Sequence, residues 1–258
     1  MKGPYACKTV SELGLDGIQL SGGYHKTGFH ISQGMIQKAY MELSKMYNIS
    51  FPSIDIRELD YSNVFGPKDS RDTEIALYAI KSGIDAASYM NIPLVLVPNF
   101  EKSLVKSKED FKKLIKILKD ICDYAQDKNI IIASENTLSA DENLLLLKKV
   151  KKPNLKIYFD TQNPYLHKGY NISEMIEKLF PHIVEVHVKD GKNKDLSGAI
   201  IGEGDSGFYK SIETLKRLNY SGWIILENYY DQEPLRLKNN NYFELITQDI
   251  EILKNYLI

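Results

Sequence analysis

Four side chains stand where apolar runs stop, and their types suit one divalent cation. Glu135 closes IIASE, Asp160 closes IYFD, His187 lies near the end of IVEVHV, and Glu227 closes WIILE. Two glutamates, one aspartate and a neutral imidazole make an oxygen-rich set with one nitrogen. That set suits Mn²⁺, Mg²⁺, Co²⁺ or Zn²⁺ and excludes a thiolate site for a soft metal. Taken singly, each residue is better explained as a solvated acid at a strand end, or as a histidine hydrogen-bonded in a core. Four strand ends closing in ligand types reverse that balance.

The elements that must carry these residues follow from periodicity. Residues 156–159 and 183–188 read as buried strands, and between them Ile172, Met175, Ile176 and Leu179 fall at helical spacing. Strand, helix and strand form a parallel crossover unit. The same rhythm runs along the chain. A helix over 5–13 precedes strands at 17–20, 53–56, 93–97 and 130–134. Helices over 33–47, 72–90, 108–127 and 141–150 separate them. After 183–188 come a glycine loop, a helix over 207–218, the strand 223–226 and a helix over 242–256.

Seven strands each followed by a helix predict a (β/α)8 TIM barrel whose first strand is missing or atypical, with an open doubly wound sheet as the alternative. Either strand one is displaced or absent, or the true start lies upstream. No linker-like stretch divides the chain, so residues 1–258 are expected to form a single domain. In such a barrel the active site lies at the C-terminal strand ends. Alternation puts Glu135 on a face with Ala133, and Glu227 on a face with Ile225, so all four candidates can point into one mouth.

Composition narrows the function classes. Lysine and arginine number 33 against 34 acids, a formal net charge of −1, so no global field draws nucleic acid or an anionic membrane. Cys7 and Cys122, the only cysteines, lack metal-type spacing and suit a reducing compartment. No apolar run approaches a bilayer span and the first residues lack a signal-peptide core, so a cytoplasmic location is expected.

The segments SEN at Ser134, FDTQNP at Phe159, VHVKDG at Val186, GEG at Gly202 and GWIILEN at Gly222 resemble the xylose isomerase-like TIM barrels, the sugar phosphate isomerase/epimerase group. The resemblance is strongest over the C-terminal half. It implies that Glu135, Asp160, His187 and Glu227 hold one divalent metal, Mn²⁺ foremost, and that Glu135 and Glu227 form the acid/base pair on opposite sides of a small sugar, keto-polyol or sugar phosphate. A metal on the substrate carbonyl and neighbouring hydroxyl would stabilise an enediolate. Return of the proton to the same carbon with inversion is epimerisation, and return to the adjacent carbon is isomerisation. The resemblance also suggests a homodimer or homotetramer.

The chain departs from ketose 3-epimerases of that group in carrying Asn163 three positions after the aspartate, where they usually have histidine. Asparagine can bond a sugar hydroxyl but cannot take up a proton, so Asn163 is assigned to substrate binding and the narrower 3-epimerase reading is weakened. An arginine expected a few residues beyond His187 is not found, and Lys192 or Lys194 offers charge without its planar fork. Lys189 and Asp190 are assigned to substrate contact or to support of His187, with a solvated loop pair as the alternative. Glu185 and Tyr158 are read as a structural pair. His25 and His30 read as polar loop residues, and Trp223 as packing.

Two other classes stand beside the isomerase or epimerase. An AP endonuclease-like phosphodiesterase would need several more histidines, and the strand ending Val97-Pro98-Asn99 has none. A non-catalytic sugar-binding barrel is compatible with an atypical first strand.

Overall fold

The computed structural model describes residues 3–257. After α1 (Ala6–Glu12), parallel strands alternate with helices: β1 (Leu20–Ser21), α2 (Gly34–Tyr47), β2 (Ser53–Asp55), α3 (Arg71–Met90), β3 (Leu94–Asn99), α4 (Lys108–Gln126), β4 (Ile131–Asn136) and α5 (Ala140–Val150). Then follow β5 (Leu155–Asp160), α6 (Asn163–Lys168), α7 (Ile172–Leu179), β6 (Ile183–Val188), α8 (Phe208–Arg217), β7 (Trp223–Leu226), α9 (Leu235–Lys238) and α10 (Tyr242–Leu257). Seven parallel strands joined by helices make the α/β barrel class with one strand fewer than the eight of a closed barrel. Among the described residues, no helix is long and apolar enough to cross a membrane.

The chain groups into two compact units, residues 1–136 with 145–156, and residues 137–144 with 157–258. In the first, β1 to β4 pair in chain order. β3 is buried along its whole length, as a strand covered on both faces must be. Ser70 and Ser107 cap α3 and α4 by accepting from the backbone N–H three residues on, and acids follow in each first turn. Asn48 and Asn91 end α2 and α3 in the left-handed conformation that asparagine tolerates. At Gly83 a Cβ would stand 2.3 Å from Ile56 Cδ1, so α3 comes this close only because the position has no side chain. The first strand is shorter than periodicity predicts. Gly17 makes only an isolated bridge to Ser50, and the ladder starts at Leu20.

In the second unit β6 pairs with both β5 and β7. The apolar stripe read from sequence is the buried face of α7, with Ile172, Met175, Ile176 and Leu179 all covered and Asn171 as its cap. Helices α6 and α9 are additions, too short for periodicity to reveal. α6 begins three residues after Asp160, where Pro164 provides the preset φ that a first helical turn accepts.

Candidate metal centre and active site

Register assembles the site in the second unit. Asp160 is opposite His187, and Tyr158 is opposite Glu185. Paired residues of parallel strands share a face and alternate ones return to it, so these four side chains lie on one side. β7 continues the row. Ile225 is opposite His187, and two residues later Glu227 comes back to the same face, its N–H donating to Val188 O at 3.0 Å. Asp160, His187 and Glu227 each offer a ligand atom, and these atoms lie within 4.8 Å of one another. Asp160 and His187 are buried, while the Glu227 side chain is 19% exposed and so can meet a solute.

Each of these side chains is oriented by neighbours. Asp160 Oδ1 accepts from the backbone N–H of Gln162 at 2.7 Å and of Asn163 at 2.5 Å. Its Oδ2 is buried and accepts no hydrogen bond. Lys189 Nζ stands 2.9 Å from that oxygen, at ion-pair distance but outside hydrogen-bonding geometry. The same ammonium donates to Glu227 Oε2 at 2.5 Å, and His187 Nδ1 lies 3.3 Å from that oxygen. The His187 ring leans on Tyr158 with centroids 4.3 Å apart, which fixes its plane. Two carboxylates and an imidazole converging with one buried oxygen left without a donor fit a hard or borderline divalent cation.

Asp190 has a different surrounding from the one its sequence neighbours suggest. It is fully buried, and five donors reach its carboxylate. Oδ2 accepts from the N–H of Gly202 and Gly204, both at 3.0 Å. Oδ1 accepts from the N–H of Gly191 at 3.0 Å and of Ser206 at 3.3 Å, and from Ser206 Oγ at 2.8 Å. The GEG sequence is therefore a backbone cradle for a carboxylate. Its charge is held by peptide dipoles, much as an anion is held in a nest of N–H groups.

Three further residues that sequence reasoning missed hold this region. Gln162 donates Nε2 to Asp195 O at 2.7 Å and accepts at Oε1 from Ser197 N–H at 2.9 Å. Asn228 accepts from Asp190 N–H at 3.0 Å and donates to Ala199 O and to Asp249 Oδ2, each at 2.7 Å. Asp249, from α10, also accepts from Tyr230 OH at 2.7 Å and from Ile201 N–H at 2.9 Å. Burial holds the Asp249 carboxyl above its ordinary range although these three donors oppose the rise, and it holds the Tyr230 phenol well up too. Gln162 and Asn228 lie within the segments FDTQNP and GWIILEN quoted above, but nothing in an isolated sequence says which carbonyl an amide will reach.

Asn163 is buried as the first residue of α6, beside Asp160. In the first unit Glu135 is the penultimate residue of β4, buried and opposite Pro98. Its flanking residues turn to the other face, where Asn136 Nδ2 donates to Ser134 Oγ at 3.1 Å. Asn99 closes β3 as a buried amide. Of the loop histidines, His25 is exposed, and burial lowers the pKa of His30. Trp223 is half-buried in β7.

The family described as xylose isomerase-like TIM barrel matches residues 7–256. The chain is 26% identical over 133 residues to a 2-epi-5-epi-valiolone 7-phosphate 2-epimerase of Actinoplanes sp., covering 51% of this chain and 49% of that one. It is 29% identical over 119 residues to an inosose dehydratase of Salmonella typhimurium, covering 39% and 38%. The match thus spans half or less of these two relatives. Among solved structures, a xylose isomerase domain protein from Planctomyces limnophilus superposes with a TM-score of 0.78 over 97% of this chain and 90% of that one, at 18% identity, a likeness of fold. With one family matched from residue 7 to residue 256, and a TIM-barrel structure superposing on nearly all of it, the chain belongs to the xylose isomerase-like TIM barrel family.

Proposed function

We propose that this protein is a divalent-metal-dependent isomerase or epimerase acting on a small sugar, keto-polyol or sugar phosphate. The observation that carries the reading is the convergence of Asp160, His187 and Glu227 at the ends of β5, β6 and β7, with Asp160 Oδ2 buried and lacking a donor. Glu135 at the end of β4 is the fourth ligand in this reading. A divalent ion held by these residues, Mn²⁺ foremost, would polarise a substrate carbonyl and its neighbouring hydroxyl so that the enediolate becomes accessible.

The chain's own groups supply the rest. Glu227, partly open to solvent, takes or returns the α proton from one side, and Glu135 serves the other. Asp160, tied through Oδ1 to two backbone N–H groups, stays fixed while protons move. Asn163 hydrogen-bonds a substrate hydroxyl, and the Asp190 cradle shapes the loop that borders the substrate. Residues 1–258 act as one domain in this reading, in keeping with a single family match over 7–256.

The similarity to an inosose dehydratase favours a second reading, elimination of water from a keto-polyol. It begins with the same α-proton removal, so the two share residues and differ in what leaves afterwards. One experiment separates them. Metal-loaded protein is incubated in D₂O with a panel of ketoses, keto-polyols and their phosphates, and products are followed by NMR and mass. Deuterium at one substrate carbon with an epimer or isomer as product supports the proposal, and Glu227→Gln should abolish the exchange. Loss of water from the product moves the assignment to the dehydratase. Absence of exchange across the panel overturns both.

A further inference from the structure

The proposed metal site already contains a cation. Lys189 is 3% exposed, although lysine almost never buries its ammonium without strong compensation. Its Nζ stands 2.5 Å from Glu227 Oε2 and 2.9 Å from Asp160 Oδ2. Asp160 has no spare alternative, because Oδ1 is committed to the N–H groups of Gln162 and Asn163. An ion bound to Asp160 must therefore use the oxygen beside the ammonium, and a dication beside an ammonium at such distances is strongly repelled.

We infer that Lys189 is a built-in counter-ion that competes with the metal, and that metal binding turns its ammonium out of the space between Asp160 and Glu227. The inference rests on the metal-site reading above. The contacts are graded for such an exchange. The bond to Glu227 is a full hydrogen bond, but the approach to Asp160 Oδ2 is an ion pair only, which leaves that oxygen's lone pairs without a donor. The Asp160 carboxylate has other support besides the ammonium. Asp160 is held by backbone N–H groups, and the Lys189 backbone is tied to Thr161, whose Oγ1 donates to Lys189 O at 3.2 Å. The side chain can thus swing while its strand end stays. Lys189 would then serve two stages, giving the Asp160 and Glu227 carboxylates a counter-charge before the ion arrives and presenting a cation to an oxygen-rich substrate afterwards.

Two measurements test this. Titration of metal-stripped protein with Mn²⁺ by calorimetry compares wild type with Lys189→Met, which keeps the stem and removes the charge. Removing a competitor should tighten Mn²⁺ binding on the order of tenfold, the usual size of such a coupling. Equal or weaker binding in the variant overturns the inference while leaving the metal site standing. No heat in either protein removes the metal site itself, and the competition with it. The second measurement uses wild type alone, so folding of the variant is not at issue. Reductive methylation mapped by mass spectrometry should find Lys189 protected without Mn²⁺ and several-fold more reactive with it. Unchanged protection would show that the ammonium stays where it is.

Discussion

The N–H of Gly204 lies 3.0 Å from Asp190 Oδ2, and a Cβ at position 204 would stand 2.1 Å from Oδ1 of the same carboxylate. Proximity of backbone to buried charge is thus what the glycine provides. Gly204→Ala should push the loop off its anchor and cost about 2–4 kcal/mol, the range for disturbing a buried charged hydrogen-bond network. Glu203→Ala, one residue away, loses only a surface pair with Lys238 and should change stability by less than about 0.5 kcal/mol. Urea unfolding of the two variants decides the matter, and equal midpoints would refute the cradle.

Asp249 gives stability a defined pH dependence. Its carboxyl sits above the ordinary range chiefly because it is buried, with the Asp190 charge adding to the rise. The folded protein therefore keeps this proton to higher pH than the unfolded chain does. Between the unfolded and folded values the native state binds more protons, so stability falls as pH rises through that window and is level above it. Tyr230→Phe removes a donor that favours the charged form. It should cost about 1–3 kcal/mol at neutral pH and less in acid, where the carboxyl is protonated. Denaturation midpoints at the two pH values would expose a loss that does not depend on pH, which would count against this account.

Metal analysis tests the ligand set directly. After Mn²⁺ reloading, wild type should carry about one ion per chain, and His187→Ala should carry none. Mn²⁺ at roughly 100 times its dissociation constant should stabilise wild type by about 2.7 kcal/mol and leave the variant unmoved. Two or three ions per chain would point instead toward a nuclease-type cluster.

Cys7 and Cys122 should be silent to thiol reagents in the native protein. Both are fully buried, and burial pushes the Cys122 thiol up to about 12 and raises that of Cys7. Labelling of both only after denaturation is expected, and fast native labelling at either would mean that its surroundings open readily.

The strands were legible because apolar runs buried on both faces look like little else. IVEVHV and WIIL stand where periodicity puts them, at Ile183–Val188 and Trp223–Leu226. Asp160, His187 and Glu227 could be read as partners because strand ends converge in this class of fold, and register brings those three together. Lys189 and Asp190 could not be separated in advance. They are adjacent in sequence and equally charged in magnitude, yet alternation sends one toward the carboxylates and the other into the loop. The reach of Gln162, Asn228 and Asp249 was equally invisible, since each acts across 20 or more residues on a backbone group or on a partner with no periodic signature. The shortened first strand escaped because Gly17 to Leu20 has the composition of a strand while pairing over only part of its length.

The peptide cradle around Asp190 also bears on how such a protein can change its preferences over time. Four of its five donors are main-chain N–H groups, available whatever side chains the loop carries. Residues 192–194, and the exposed Glu203 and Asp205, can therefore be exchanged without releasing the anchor, provided the glycines that admit the carboxylate remain. On the proposed function, selectivity for one sugar over another can drift at those positions while the carboxylates and imidazole on the strand ends keep their arrangement, which would make this loop the natural place to begin re-targeting by design.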